Sequence, residues 1–234
     1  MTDSTPRRRV RAGRPALSRE HIVEAALSVL RAEGLSKVTM RRVAQELDTG
    51  QASLYAHVAN TAALHAAILD ELTAGVESER SGTWDNRLES LLFAYSRVLF
   101  TYPGLARSAL VLRPMGQHTL RLIDRVLELL LEGGIAPDRA AWGVDLLLQH
   151  VTATAAEHAP PAPGERADRE GAGTADASLA AAIREADPER TPRVAAMACE
   201  LLSGPHEVRE SWAIRALLHG IAGTPVRGAE AAPF

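Results

Sequence analysis

Residues 39–58 read TMRRVAQELDTGQASLYAHV, and this stretch contains two short helical patterns separated by Asp48-Thr49-Gly50. Thr39 stands at the position of a helix N-cap, just before the first pattern. Apolar side chains recur at helical spacing, namely Val43, Ala44 and Leu47 in the first pattern and Leu54 and Val58 in the second. The stretch therefore predicts two helices, over 39–47 and 51–58, joined by a tight turn.

A further helix is predicted immediately upstream, over residues 18–33. Ser18 is a good N-cap, Glu20 favours the positive end of a helix, and Gly34 ends the pattern. The apolar positions repeat with the helical period and are Ile22, Ala25, Ala26, Val29 and Leu30. Three amphipathic helices of this size can bury one small common core.

The helix over 51–58 carries polar side chains beside its apolar positions, and they are Gln51, Ser53, Tyr55 and His57. Side chains of these types reach base edges or phosphate oxygens, and a helix pair with a short turn can place its second helix in a DNA major groove. The spacing alone is weak evidence, because short helix pairs occur in many proteins. Two alternatives stay open: Tyr55 packs in the small core, and His57 caps the helix end.

Charge is distributed unevenly along the chain. Residues 1–60 carry ten Lys or Arg and six Asp or Glu, whereas residues 61–234 carry 16 and 23. Five arginines fall within residues 1–17, a stretch broken by Pro and Gly that we expect to be a flexible arm. The N-terminal part of the chain is therefore basic and the rest is acidic, which suggests that the N-terminal part alone binds a polyanion. The alternative is that the basic arm is only solvated.

Composition excludes several classes of protein. The chain has 234 residues, of which 46% are hydrophobic, enough for one large domain or two small ones. Its single cysteine, Cys199, can form neither an internal disulfide nor a thiolate metal cage. No apolar run approaches the roughly 18 residues of a membrane span, and no apolar stretch follows the basic N-terminus. We therefore expect a cytoplasmic protein that has no membrane partner.

Enzyme motifs are also missing from the sequence. It contains no phosphate-binding Gly-rich loop with Lys-Ser/Thr, no His-Glu-x-x-His and no nucleophile elbow. His150 and His158 are eight residues apart, so they share a helix face but are too distant to hold a metal without other ligands. A metal-dependent helical-bundle enzyme is the second class of function considered. We expect no catalytic residues, no metal and no cofactor.

The remaining sequence continues in helical patterns, so the predicted fold class is all-α. Further helices are expected at 61–79, 84–101, 104–111, 115–132, 138–158, 190–203 and 206–221. The Pro- and Gly-containing stretch 160–177 predicts a mobile loop. The predicted organisation is an arm over 1–17, a three-helix head over 18–64, a helical body over 65–223 and a disordered tail over 224–234.

The residues of the head resemble a known family. TMRRVAQEL at 39–47, SLYAHVANTAAL at 53–64 and IVEAAL at 22–27 are similar to the DNA-binding segment of the tetracycline-repressor (TetR) family. The resemblance extends over residues 18–69, and the helix order and spacing around Pro205 resemble the tetracycline-repressor type of C-terminal domain. It implies a dimeric transcription factor whose basic arm and third helix bind operator DNA and whose body binds a small molecule.

The resemblance also implies which residues contact DNA. Candidate contacts are Arg14, Thr39, Arg41, Arg42, Gln51, Ala52, Ser53, Tyr55, His57 and Thr61. Three positions depart from the family pattern. Asp48 replaces the common glycine of the turn and can adopt the left-handed conformation at some cost, Thr49 replaces an apolar residue, and Thr61 replaces a phosphate-binding lysine. These departures bear on operator sequence and affinity more than on DNA binding itself.

For the body, the resemblance implies a ligand pocket and a dimer interface. Candidate pocket residues are Leu91, Tyr95, Leu112, Met115, His118, Leu122, Trp142, Gln149 and His150. Candidate interface residues, on the helices over 138–158 and 206–221, are Val144, Leu147, Leu148, Val151, Val208, Trp212, Ala216 and His219. Each residue of either set has an alternative role in the core of a single chain. Glu77 and Ala109 occupy the positions of the drug-binding imidazoles, so an effector other than tetracycline is expected.

The most specific prediction is a homodimeric repressor that a small-molecule effector releases from a palindromic operator. A ligand-independent DNA-binding regulator and an activator remain alternatives. The sequence identifies neither the effector nor the operator.

Overall fold

The computed structural model describes residues 17–111, 114–158 and 172–226, with side chains from residue 177 in the last range. Within these ranges the chain forms twelve α-helices and no strand, which confirms the predicted fold class. The helices are α1 Arg19–Glu33, α2 Met40–Glu46, α3 Gln51–Tyr55, α4 Thr61–Thr73, α5 Trp84–Thr101, α6 Pro103–Val111, α7 Gln117–Glu132, α8 Pro137–His158, α9 Ala172–Arg184, α10 Pro192–Ala196, α11 Ala198–Leu201 and α12 His206–Gly223.

The head is built from α1, α2 and α3 around one small core. Ile22, Val43 and Leu54, one from each helix, have no exposed surface. Side-chain caps fix where α1 and α2 begin, because the Ser18 oxygen accepts from the His21 N–H and the Thr39 oxygen accepts from the Arg42 N–H. Burying each large apolar side chain contributes about 1.5–3 kcal/mol, so this core can fix the angle between the short helices.

The turn between α2 and α3 depends on Asp48, whose φ of 46° lies in the left-handed region. Asp48 was expected to be able to adopt this conformation in place of the usual glycine, since Asp tolerates it better than most residues do. Backbone hydrogen bonds close the turn, from the Asp48 N–H to the Gln45 carbonyl and from the Thr49 N–H to the Ala44 carbonyl.

The body packs α5, α6, α7 and α8 around a buried core that is continuous with that of the head, and α12 lies against α8 and α5. The fully buried side chains at its centre include Leu88, Leu92, Leu99, Leu105, Val126, Leu129 and Leu147. Helices α9, α10 and α11 contact one another. None of the side chains described in α10 and α11 is buried.

Helix α4 joins the head to the body, since it contacts α1 on one side and α6 and α7 on the other. Its His65 ring lies between both parts, with Nδ1 3.1 Å from the Ser108 hydroxyl oxygen of α6 and Nε2 3.4 Å from the Val38 carbonyl oxygen of the head. Asp70, one turn further along, hydrogen-bonds to α7. Any displacement of α4 therefore involves contacts on both sides.

Several sequence-based boundaries need correction. Helix α4 ends at Thr73 rather than near residue 79. The segment expected as one helix over 190–203 is divided into α10 and α11 at Met197. The predicted loop over 160–177 is wrong from residue 172 onward, because α9 begins there. The run SLAAAI within α9 has high helix propensity, which outweighs one glycine in the first turn.

Candidate functional site

Helix α3 presents a polar surface to solvent. Leu54 and Val58 are buried and fix the helix to the head, whereas Gln51, Ala52, Ser53 and His57 are exposed. The Tyr55 side chain is 49% exposed, so its ring lies at the surface and not in the small core. The Gln51 Nε2 donates to the Tyr55 hydroxyl oxygen over 3.1 Å, which orients both side chains on the same surface.

Helix α2 places its two arginines in different environments. Arg41 is exposed and has no hydrogen bond or ion pair within the described ranges. Arg42 donates to Glu33 over 2.6 Å and to Glu46 over 2.9 Å. Hydrogen bonding to Arg42 lowers the pKa of the Glu33 carboxyl, so the pair stays ionised. The Arg42 guanidinium is therefore already bound to two carboxylates of the head, whereas that of Arg41 has no partner within the described ranges.

The other predicted DNA contacts have local roles or lie outside the described residues. The Thr39 hydroxyl oxygen caps α2, and Thr61 occupies the first turn of α4, where the Asn60 side chain accepts from the Ala63 N–H over 2.8 Å. Arg14 lies outside the described ranges. Exposed N–H groups at the start of α4 remain available to a phosphate.

A cavity of about 370 Å³ lies among α5, α6, α7 and α8. Tyr95 and Thr152 are buried in its wall with their oxygens 3.4 Å apart, and burial raises the pKa of the Tyr95 hydroxyl, which stays protonated. The lining is mainly apolar and comprises Tyr95, Ala109, Leu110, Pro114, Thr119, Ile123, Leu127, Ala141, Val144, Asp145, Leu148, Gln149 and Thr152. Its volume and its few polar groups are typical of small-molecule sites.

Of the predicted pocket residues, only Tyr95 and Gln149 line this cavity within the described residues. Leu91, His118 and Leu122 instead line a separate groove of about 390 Å³ beside the end of α4. The sequence did not single out Thr119, Ile123, Leu127 or Thr152, which alternate with core residues and carry no local signal.

The remaining predicted pocket residues do not line the cavity. Met115 is almost fully exposed, and Trp142 lies on the outer surface of α8, 60% exposed. His150 is half-buried in α8, and its Nε2 is buried without a hydrogen-bond partner among the described residues. Leu112 lies outside the described residues. These residues were predicted to line the cavity because of the helix on or near which each lies. The rotation of each helix about its axis directs their side chains away from the cavity.

The predicted dimer interface divides between the surface and the core. On α12, the predicted residues Val208, Trp212, Ala216 and His219 are all exposed, and Trp212 is 73% exposed. On α8, Val144, Leu147 and Val151 are buried against their own chain and are not available at a surface, and the half-buried Leu148 lines the cavity. The exposed apolar residues of α8 are Trp142 and Leu146, which border a groove against α12.

One group of side chains has the composition of a metal site. Ligand atoms of Asp70, Glu71 and His118 lie within 4.8 Å of one another, the only such group in the described ranges. Asp70 is already engaged, because its Oδ1 accepts from both the N–H and the hydroxyl of Thr119. His118 lies 3.8 Å from the Glu71 carboxylate. The contacts within the protein account for the position of these side chains.

A helix-turn-helix with an exposed polar second helix, attached to a helical body that contains an apolar cavity, defines a DNA-binding transcriptional regulator. Two family models match the chain: bacterial regulatory proteins of the tetR family over residues 22–68, and the tetracyclin repressor-like C-terminal domain over residues 78–195. The chain belongs to the TetR family of transcriptional regulators. Members of this family are not enzymes, which removes the alternative of a helical-bundle enzyme.

Individual relatives agree with this assignment. A transcription regulator of Streptomyces coelicolor, SCO7704, is 48% identical with a TM-score of 0.80, over 92% of this chain and 99% of that one. ActR of the same species, in complex with actinorhodin, is 32% identical with a TM-score of 0.72, over 90% and 99%. The HTH-type transcriptional repressor DrrR1 of Streptomyces coeruleorubidus is 33% identical over 53% of each chain. The chain spans about half the length of the curated relatives that it matches.

None of the described helices combines the length and the apolar character that a bilayer span requires.

Proposed function

We propose that the chain acts as a homodimeric repressor whose α3 helices read two halves of a palindromic operator. The observation that carries the proposal is the exposed surface of α3, where Gln51 and Tyr55 are joined by a hydrogen bond above a buried Leu54. Polar side chains on a rigidly packed second helix are the groups that contact base edges and phosphates.

The exposure of each side chain and the hydrogen bonds it already makes determine which residues we propose to contact DNA. Arg41, Gln51, Ser53, Tyr55 and His57 are exposed, so DNA can reach them without rearrangement. Thr39 and Arg42 act within the head, and Arg42 supports α2 through its two carboxylate partners. The basic N-terminal arm, including Arg14, adds phosphate contacts. Because these contacts release counterions, operator binding weakens steeply as salt increases.

A second copy of the chain pairs through α8 and α12 in this proposal. Both helices carry exposed apolar side chains, Trp142 and Leu146 on α8 and Val208 and Trp212 on α12. Exposed apolar surfaces of this kind mark interaction sites, and a two-fold dimer brings the same surface of each chain together. Such a dimer presents two heads, which a palindromic operator requires.

The cavity among α5, α6, α7 and α8 holds the effector. ActR, similar over most of its length, was solved with actinorhodin, and DrrR1 is named a transcriptional repressor. Thr119 belongs both to the cavity wall and to the contact with Asp70 of α4, so an occupied cavity can favour another position of the head. By linkage, operator DNA then weakens effector binding by the same factor.

Gel-shift titration tests the DNA-binding part, using DNA that flanks the chain's own gene and excess nonspecific competitor. Wild-type protein gives a discrete, competitor-resistant shift, and Tyr55→Ala gives none while remaining a folded dimer by circular dichroism and gel filtration. Leu120→Ala, an exposed α7 residue outside the head, is the matched control and binds as wild type does. Undiminished operator binding by Tyr55→Ala would contradict the proposed role of α3.

A further inference from the structure

A groove on the surface of the head lies between α1 and the turn that joins α2 to α3. Its volume is about 590 Å³. Its apolar floor includes the half-buried Leu17 and Leu47. The exposed side chains of Glu24, Glu46 and Asp48 stand at its edge. This head groove shares no lining residue with the effector cavity, and none of its lining residues is a proposed DNA contact.

The head groove is acidic. Its lining contains three carboxylates and one imidazole, that of His21, and it contains no Lys or Arg. Arg42 binds Glu46 over 2.9 Å from outside the lining, and Asp48 and His21 each take part in interactions of their own. The Glu24 carboxylate makes no hydrogen bond or ion pair within the described residues. The groove therefore combines an apolar floor with an edge of net negative charge.

The described part of the chain begins at the wall of this groove. Leu17 lines it and packs against the core, and residues 1–16 precede Leu17 outside the described ranges. Those sixteen residues contain five Arg and one Asp. Arg11 lies six residues before Leu17, so the chain between them spans at most about 20 Å. Gly13 and Pro15 stand in this interval, and both residue types favour turns.

We propose that the head groove binds the chain's own N-terminal arm. Arginines of the segment 7–11 lie against the carboxylates at the edge, and Val10, which stands between two of them, contacts the apolar floor. Guanidinium groups form charge-assisted hydrogen bonds with carboxylates. The tether favours this occupant over a separate molecule, because an arm attached at Leu17 is held at a high effective concentration near the groove.

Docking of the arm lowers the affinity for DNA, a consequence that rests on the proposed function. The same arginines cannot bind the groove and DNA phosphates at once. The apparent affinity of any binding mode that needs the arm is therefore reduced to the fraction of molecules whose arm is released. The docking itself does not depend on DNA binding and can be measured without DNA.

Limited trypsin digestion of the full-length protein tests the docking, because a bond held in the groove is inaccessible to the protease. A synthetic peptide of residues 1–18 gives the rate at which trypsin cleaves the Arg11–Ala12 bond of an undocked arm. We expect this bond to be cleaved at least about threefold more slowly in the protein, the effect of a few exposed charge contacts. Mass spectrometry of the intact protein and its fragments measures both rates.

Variants of the groove separate docking from other causes of protection. Glu24→Gln/Asp48→Asn raises the cleavage rate towards that of the peptide, and Asn keeps the left-handed turn accessible. Glu24→Arg, which reverses one exposed charge, serves if the double variant does not fold. Glu200→Gln/Glu207→Gln removes the same charge from exposed positions on α11 and α12, and this matched control keeps the protection.

Equal cleavage rates in the protein and the peptide, or protection that persists in the groove variants, would overturn the proposal. Protection that disappears on dilution would also overturn it, because the groove would then hold the arm of a second copy. Protection in a protein that binds no DNA would support the docking and contradict the proposed function. Operator binding by a protein without protection would do the reverse.

Discussion

The carboxylate of Asp70 accepts two hydrogen bonds from Thr119, at 2.8 Å from the backbone N–H and 2.7 Å from the hydroxyl. Asp70 is only 8% exposed, and it joins the helix that carries the head to the first turn of α7. A negative charge at a helix N-terminus is stabilising. A side chain on Gly116 would collide with the Asp70 carboxylate, so the close approach of α4 to α7 requires glycine there.

Asp70→Ala removes this contact and leaves two half-buried donors without an acceptor. We expect a loss of about 1–3 kcal/mol in the free energy of unfolding, measured by urea denaturation. Thr119→Val removes the hydroxyl alone and costs less. In the same variants the effector still enters the cavity but changes operator affinity by a smaller factor, because Asp70 connects the cavity wall to α4. Coupling equal to that of wild type in Asp70→Ala would show that the effector acts through other contacts.

Arg41 and Arg42 are adjacent in sequence and are predicted to differ in function. Arg41→Ala weakens operator binding by about tenfold or more, the cost of one lost guanidinium contact to DNA. Arg42→Ala has a smaller effect on affinity, since its guanidinium already binds Glu33 and Glu46. Fluorescence anisotropy with labelled operator measures both. Equal losses in the two variants would mean that Arg42 leaves its carboxylate partners when DNA binds.

The pH dependence of stability contains a contribution from His65. Burial lowers the pKa of the His65 ring, against the smaller opposing effect of the Val38 carbonyl. The unfolded state, with a pKa near 6.5, therefore binds the proton more readily than the native state does. The free energy of unfolding is highest above about pH 6.5 and falls as the pH decreases towards the lower native pKa. Urea denaturation between pH 5 and 8 measures the slope.

Substitution isolates this contribution from other titrating groups. His65→Gln flattens the dependence relative to wild type, whereas His57→Gln, at an exposed position of the head, leaves it unchanged. A wild-type slope that persists in His65→Gln would assign the effect to another residue.

The exposed apolar side chains of α8 and α12 lead to a prediction about the oligomeric state. Trp212→Arg places a charge at a side chain that is 73% exposed in the single chain, and it shifts the protein from dimer to monomer in sedimentation velocity. Leu120→Arg, a comparably exposed apolar residue on α7, leaves the dimer intact. A Trp212→Arg protein that remains dimeric would place the interface elsewhere.

The sequence predicted several helix limits well from apolar periodicity and from capping residues. The limits of α5 and the starts of α3 and α4 agree with the prediction, and Ser18 and Thr39 cap the helices that they were expected to cap. The apolar periodicity could not show which side of α8 is buried, because this helix packs on one side but carries apolar residues on both. Val144 and Leu147 are therefore buried, while Trp142 and Leu146 are exposed.

The same limit of apolar periodicity applies to the individual residues predicted for the DNA-binding surface and for the ligand pocket. Exposed polar residues on α3 were identified from one helix alone, since their surface is set by Leu54 and Val58. The cavity depends on the relative rotation of four helices, which no local pattern encodes. The predicted pocket residues consequently divide between the cavity, the separate groove beside the end of α4 and the surface.

The central claim is that α3 reads a specific DNA sequence, and selection from a random double-stranded DNA pool tests it most directly. We expect repeated rounds of binding to wild-type protein to enrich an inverted repeat with half-sites about one helical turn apart. The same selection with Gln51→Ala/Tyr55→Ala should enrich no common sequence. Enrichment of the same repeat by the double variant, or no enrichment by folded, dimeric wild-type protein, would contradict the claim.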